Sequence, residues 1–161
     1  MMRDERDMAV CYARYFPAIA AKCARMLSSR EEAEDVAQET FIRLWRELDA
    51  LREVRVISAW VYKTSTRLAI DRLRERKRKE PLHDGIPSGI DEERAASTRQ
   101  WLAEIARVLP REDLEVLVLH RVDRLTQLEI AETLACSERQ VRYLLGRAEQ
   151  KLDAVKRRLE A

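Results

Sequence analysis

Residues 126–147, TQLEIAETLACSERQVRYLLGR, constrain the fold more tightly than any other stretch of the chain. Thr126 is followed three residues on by Glu129, and Ser137 by Gln140. Each pair is a capping box: the hydroxyl accepts an orphan amide at a helix start, and the Glu or Gln side chain reaches back. Two helices therefore begin eleven residues apart. The first holds little more than about two turns, over 127–134, and a turn over 135–137 joins it to the second. Ile130, Ala131 and Leu134 give the first an inward face at helical spacing, and Val141, Leu144, Leu145 and Ala148 do so for the second. Two short helices meeting at a tight turn form a helix-turn-helix, whose second helix enters the DNA major groove. Its outward side carries Glu138, Arg139, Arg142, Tyr143 and Arg147, a set suited to phosphates and base edges. The plainer alternative is a helical hairpin with a solvated charged face.

On the DNA reading, Ser137 caps the second helix and aims its first amides and the positive end of its dipole at a phosphate. Arg139, Gln140, Arg142 and Tyr143 then stand at the groove end. Arg donates bidentately to guanine O6 and N7, which makes Arg139 and Arg142 the expected base readers. The Gln140 amide is divided between the capping box and base reading, and Arg147 is expected on the DNA backbone.

The rest of the chain is helical too. Residues 4–27 carry a broad apolar stripe interrupted by Pro17, which predicts a kink or a split. Ser28 and Ser29 meet Glu31 and Glu32 at capping-box spacing, so a second helix starts near Arg30. Ala33, Val36, Ala37, Phe41, Leu44, Trp45 and Leu48 mark its expected buried face, and Asp35, Gln38, Glu39 and Arg46 its polar one. Residues 51–56 lack helical spacing. The pattern resumes at Ile57, and Lys63, Arg67, Arg74 and Arg78 fall within one arc of the wheel, a basic stripe fit to track a backbone. Pro81, Gly85, Pro87 and Gly89 lie within nine residues and mark a flexible linker. Helices are expected again over 95–109, over 111–121 after Pro110, and through a long basic C-terminal stretch. The fold class is all-α, in two small helical domains, 4–79 and 95–160, joined by a linker over 80–94.

Net charge is only +2, so distribution matters more than bulk. Residues 60–80 hold eight basic and three acidic residues, 136–161 seven and four, and 28–53 four and eight. Such a chain is suited to touching both DNA and a basic protein surface. Cys11, Cys23 and Cys136 form no CxxC pair and lie far in sequence from His83 and His120, so no metal site is expected. Three cysteines without a signal peptide fit a reducing cytoplasm, and no apolar run approaches the ~18 residues of a membrane span.

Two stretches together resemble a family. AEDVAQETFIRLW at 33–45 is similar to the AEDxxQExFxxxW signature of region 2 of bacterial sigma factors. WVY at 60–62 and LAIDRLR at 68–74 resemble its continuation, and 109–152 resembles the region 4 pattern EIAxxLxxSxxxVxxxLxRAxxxL. The order of the motifs, the size and the linker resemble the extracytoplasmic-function group of alternative sigma factors. The resemblance implies a polymerase subunit with no catalysis of its own and no cofactor. It implies that the face with Glu34, Asp35, Gln38 and Glu39 meets the clamp helices of the β′ subunit of core RNA polymerase. Residues 57–79, with Trp60, Lys63, Arg67, Arg74 and Arg78, would melt and read the promoter's minus-ten element. The second helix of the helix-turn-helix, with Ser137, Arg139, Gln140, Arg142, Tyr143 and Arg147, would read the minus-thirty-five element. The β flap and an anti-sigma factor are further implied partners. Opening a promoter takes a base out of the stack at a cost of a few kcal/mol, which a pocket and a basic groove offset. Trp60 and Tyr62 suit either base stacking or core packing.

The chain departs from the pattern in places. The family often has Asn where Arg67 stands, Gly where Ala135 stands and Arg where Leu144 stands, and Gly146 interrupts the recognition helix. These departures bear on promoter sequence rather than fold. A helix-turn-helix repressor or activator would explain 95–160 but not the acidic motif at 33–45. A sigma-like decoy binding an anti-sigma protein would keep the fold without needing the basic stripe. No phosphate loop, nucleophile constellation or metal cluster stands out to suggest an enzyme.

Overall fold

The structure, a computed structural model, describes residues 5–27, 29–51, 53–79 and 90–161. Among them are seven α-helices and no strand: α1 (Glu5–Met26), α2 (Arg30–Glu47), α3 (Val54–Lys79), α4 (Ile90–Val108), α5 (Arg111–Arg121), α6 (Gln127–Leu134) and α7 (Glu138–Glu160).

Local chemistry accounts for the starts. The extended Ser29 accepts the Glu32 amide at 3.0 Å, and Glu31 and Glu32 complement the positive end of α2. Thr126 caps α6 with both halves of the capping box, at 3.2 and 3.0 Å. Ser137 caps α7 by accepting the Gln140 amide at 3.1 Å, but Gln140 does not return the bond, so this box is only half formed. Between them Ala135 is left-handed, at φ 53° and ψ 47°, which lets its own amide and that of Cys136 close on carbonyls of α6.

Three helix expectations are revised. α1 runs uninterrupted through Pro17. Pro17 and Ala13 are both exposed, so the carbonyl that proline leaves unpaired opens to water. α3 begins at Val54, inside the expected loop, as the Glu53 carbonyl takes the Ile57 amide at 3.0 Å. α4 begins at Ile90, inside the expected linker.

The helices form two units, α1–α3 and α4–α7, but the apolar interior does not respect that division. Ile19, Cys23, Met26, Val36, Phe41, Leu44, Val61 and Ile70 of the first unit belong to one buried cluster with Ile105 and Leu109 of α4, Leu114 and Leu117 of α5, and Leu152 of α7. A second cluster, Val116, Leu119, Ile130, Ala131, Val141, Leu144 and Leu145, is the interior of the helix-turn-helix. α3 lies against α4, α5 and α6.

Candidate nucleic-acid and polymerase interfaces

The polar face of α2 is available. Glu34 and Asp35 are exposed, as is Gln38, and Glu39 is half-buried. Glu34 pairs with Arg30 at 3.1 Å and Glu39 with Arg43 at 2.9 Å, both one helical turn apart. Asp35 and Gln38 make no such bond among the described residues. Beside Gln38 lies something the sequence pattern misplaced. Trp45 is 50% exposed rather than buried. Seven residues is nearly two helical turns, so Trp45 falls beside Gln38 on the wheel. With Met8, Tyr12, Phe41, Ile42 and Arg46 the two line a largely apolar groove of about 550 Å³ between α1 and α2. Tyr12 stacks on Phe16 at 4.4 Å and meets Phe41 edge-on at 5.3 Å, which fixes the groove wall.

The basic stripe of α3 is differently placed. Trp60 is half-buried and packs against the larger apolar cluster, and Lys63 is half-buried. Arg67 Nε donates to Glu115 Oε1 of α5 at 2.6 Å, and Arg74 Nη2 donates to the Leu109 carbonyl at 3.0 Å. The side chain of Arg78 lies outside the described residues.

Lys22 is a residue that motif reasoning missed. It is 2% exposed and donates to Asp123 Oδ2 at 2.6 Å, Thr66 Oγ1 at 2.6 Å and Ser65 Oγ at 3.1 Å. Burial pushes its ammonium below the usual lysine range and Asp123 above the usual carboxylate range, while their mutual attraction opposes both shifts. Burial likewise pushes the neighbouring Cys23 thiol up to about 11, so it is a packed apolar group, not a nucleophile. The signal for Lys22 was available: it sits three residues after Ile19 and four before Met26, on the buried side of α1.

On α7, Arg139, Gln140, Arg142 and Tyr143 are exposed, Tyr143 at 58%, next to the amide end that Ser137 caps. The Gln140 side chain is free of the capping box. Arg147 is placed otherwise than expected. Its Nε and Nη2 grip the fully buried Asp113 of α5, at 3.0 and 2.5 Å, and Lys151 adds a third donor at 3.3 Å. The bonds to Asp113 raise the affinity of the guanidinium for its proton still further. Arg147 flanks the buried Leu144 and Ala148, so it turns inward as a structural ion pair and its place on the DNA backbone is not supported. Leu144, where the family often has Arg, is part of the helix-turn-helix interior. No group of His, Cys, Asp and Glu fit to hold a metal occurs among the described residues.

Such a molecule belongs to the helix-turn-helix class: a second helix with a capped start and exposed first turns on one helical unit, and a polar face beside an apolar groove on the other. Residues 11–79 match Sigma-70 region 2, and residues 99–152 match Sigma-70, region 4. The ECF RNA polymerase sigma factor SigW of Bacillus subtilis is 34% identical over 70% of this chain and 68% of its own length. SigG of Mycobacterium tuberculosis, another ECF sigma factor, is 26% identical over 95% of this chain, which spans 50% of it. The chain belongs to the ECF family of RNA polymerase sigma factors. A solved structure of CnrH in complex with the cytosolic domain of CnrY superposes with a TM-score of 0.66 over 94% of this chain and 88% of that one. At 24% identity that likeness speaks for the fold alone. CnrH of Cupriavidus metallidurans is 28% identical over 94% of this chain and 87% of its own.

Proposed function

We propose that this sigma factor docks on core RNA polymerase through α2 and directs it to a promoter read by α3 and α7. The observation that carries the reading is the recognition helix. Arg139, Arg142 and Tyr143 stand exposed on the first turns of a capped helix, where amide donors and the helix dipole favour a phosphate and Arg suits guanine. Asp35 and Gln38 meet the β′ clamp helices, with Ile42 and Trp45 adding apolar contact from the neighbouring groove. Trp60, Lys63, Arg67 and Arg74 face the melted minus-ten strand, and the α4–α7 unit takes the β flap. The chain performs no catalysis and works in the cytoplasm beside the polymerase. No helix among the described residues is long and apolar enough to cross a membrane. By analogy with the sigma factor RpoE of Bartonella quintana, whose structure holds the anti-sigma factor NepR, an anti-sigma factor is a further partner.

The test is reconstitution. The chain is expected to co-purify with core polymerase and to start run-off transcripts from discrete sites on genomic fragments upstream of genes. Failure to bind the core, or transcripts no different from those of core alone, refutes the reading.

A further inference from the structure

Proline apart, glycine is the least favourable residue for a helix interior, yet one stands in the middle of α7. Gly146 is helical and exposed, and a Cβ built on it meets nothing within 4 Å. Neither a turn nor a close approach within the chain accounts for it. At 3.6 residues per turn it lies within about 60° of Arg139, Arg142 and Tyr143 on the wheel, and about 160° from the buried Leu144 and Ala148. The open space is therefore on the side of the helix that the proposed function turns toward duplex DNA.

Position along the helix decides which part of the duplex meets that space. Gly146 lies nine residues beyond the Ser137 cap, about 14 Å along the axis, whereas the major groove is about 12 Å wide. With the capped end of α7 seated against base edges, the helix has reached the rim of the groove at Gly146, where a sugar-phosphate strand runs past. The same face then turns acidic, for Glu149 and Asp153 follow and both are exposed. Phosphates are attracted beside Arg142 and repelled beyond, so Gly146 is the last position on this face that a strand can lie against. Arg147, the neighbouring cation, is turned into Asp113, and its guanidinium carries the Tyr143 ring at 5.4 Å. Contact at this point is thus by shape rather than by charge. A helical side chain covers the turn before its own Cα, so any side chain at 146 would lean over the turn of Arg142 and Tyr143 and hold the strand off.

We propose that Gly146 is a docking notch for the sugar-phosphate backbone at the rim of the major groove, a position kept bare so that one DNA strand can lie directly against the backbone of α7. This rests on the assignment of α7 to promoter duplex made above. The notch selects no base. It sets how closely the helix approaches any sequence, and the long side chains of Arg139 and Arg142 reach base edges independently of it. Helix stability and DNA affinity therefore oppose each other at this one residue.

Gly146→Ala, Gly146→Leu and the control Ala154→Leu test this in the full chain. The control adds comparable bulk at an exposed position about 12 Å further along α7. The parent first selects from a randomised duplex pool. Binding of the fluorescein-labelled winning duplex and of its single-base variants is then measured by anisotropy, beside thermal unfolding of each protein. Gly146→Ala is expected to weaken the winning duplex roughly fivefold and Gly146→Leu more than about twentyfold, because added atoms in a close contact force the two surfaces apart. Each should lose the same factor on every single-base variant, so the ratios between sequences stay those of the parent. Ala154→Leu is expected to stay within about twofold, as a surface change remote from any contact. Gly146→Ala should also unfold at a higher temperature than the parent, and gained stability with lost affinity is a combination that a merely structural glycine does not give. Undiminished binding by either Gly146 variant overturns the notch. So do losses confined to particular bases, which would make 146 a base-reading position, and an equal loss for Ala154→Leu, which would make bulk anywhere on α7 sufficient. If the parent enriches no sequence from the pool, the assignment of α7 to duplex fails and the notch falls with it. If it enriches one that Gly146→Ala binds as well as the parent does, only the notch falls.

Discussion

Gly146 sits in the interior of α7, the helix that carries the proposed recognition residues, and Gly146→Ala is expected to stabilise the protein. The magnitude follows from its surroundings. A Cβ built there meets nothing within 4 Å, and the residue is exposed, so alanine brings neither a clash nor new burial. What remains is backbone entropy: glycine in a helix interior is less favourable than alanine by about 0.8–1.0 kcal/mol, largely because it loses more freedom on folding. Little of this is offset elsewhere, because the helix is already anchored on both sides of the site by the buried Leu144, Leu145 and Ala148. For a chain of this size about 1 kcal/mol corresponds to a rise in Tm of roughly 2–4 °C. Circular dichroism at 222 nm during a thermal scan reads this directly, with Gly146→Pro as a control expected to lose about 3 kcal/mol or more. An unchanged or lowered Tm for Gly146→Ala would refute the reasoning, because it would mean that the glycine meets a constraint the open space around it does not reveal.

The left-handed Ala135 carries a backbone penalty of about 1–2 kcal/mol that glycine avoids, partly offset by glycine's greater entropy loss, so Ala135→Gly should gain about 0.5–1 kcal/mol in urea denaturation. Arg147→Ala is expected to lower Tm, because it strips the buried Asp113 of two donors, while leaving the sequence preference in a randomised-promoter selection unchanged; a stable variant with weakened DNA binding would restore Arg147 to the backbone. Hydrogen bonds from Thr126 hold the Glu129 carboxyl below its usual 4.5. Its folded-state value is depressed, so the capping contribution is present above that pH and is lost as pH falls through the depressed value; amide exchange at Thr126 should accelerate there, and a flat profile would count against the cap. Asp35→Arg with Gln38→Ala is expected to weaken pull-down of core polymerase while leaving helical content intact, and undiminished pull-down would move the interface elsewhere.

The parts of the fold legible in sequence are those with local causes. Thr126, Ser137, Ser29 and Pro110 act through hydrogen bonds or dihedrals within one turn, and α2, α5, α6 and α7 begin within a residue of where these side chains place them. What was not legible depends on distant partners. Arg147 and Arg142 are both arginines on one helix, and only the buried Asp113, thirty-four residues away from Arg147, separates their roles. Lys22 has a hydrophobic neighbourhood in sequence and a carboxylate partner 101 residues on. Trp45 fits the apolar pattern of α2 well enough to be taken for core, although its place beside Gln38 puts it on the open side. Arg67 and Arg74 do share an arc, but nothing in the spacing shows that α5 and the end of α4 occupy it.

The continuity of the larger apolar cluster has a consequence for any attempt to dissect the molecule. Ile105, Leu109 and Leu114 are almost fully buried in the same cluster as Ile70 and Leu73, and each such side chain contributes about 1.5–3 kcal/mol on leaving water. A proteolytic nick between α3 and α4 would sever the backbone without removing that shared surface. The two pieces, left with matching apolar faces, should stay together through purification and part only in denaturant. Either piece produced alone would carry an uncovered greasy flank, and its solubility would then say little about the intact chain.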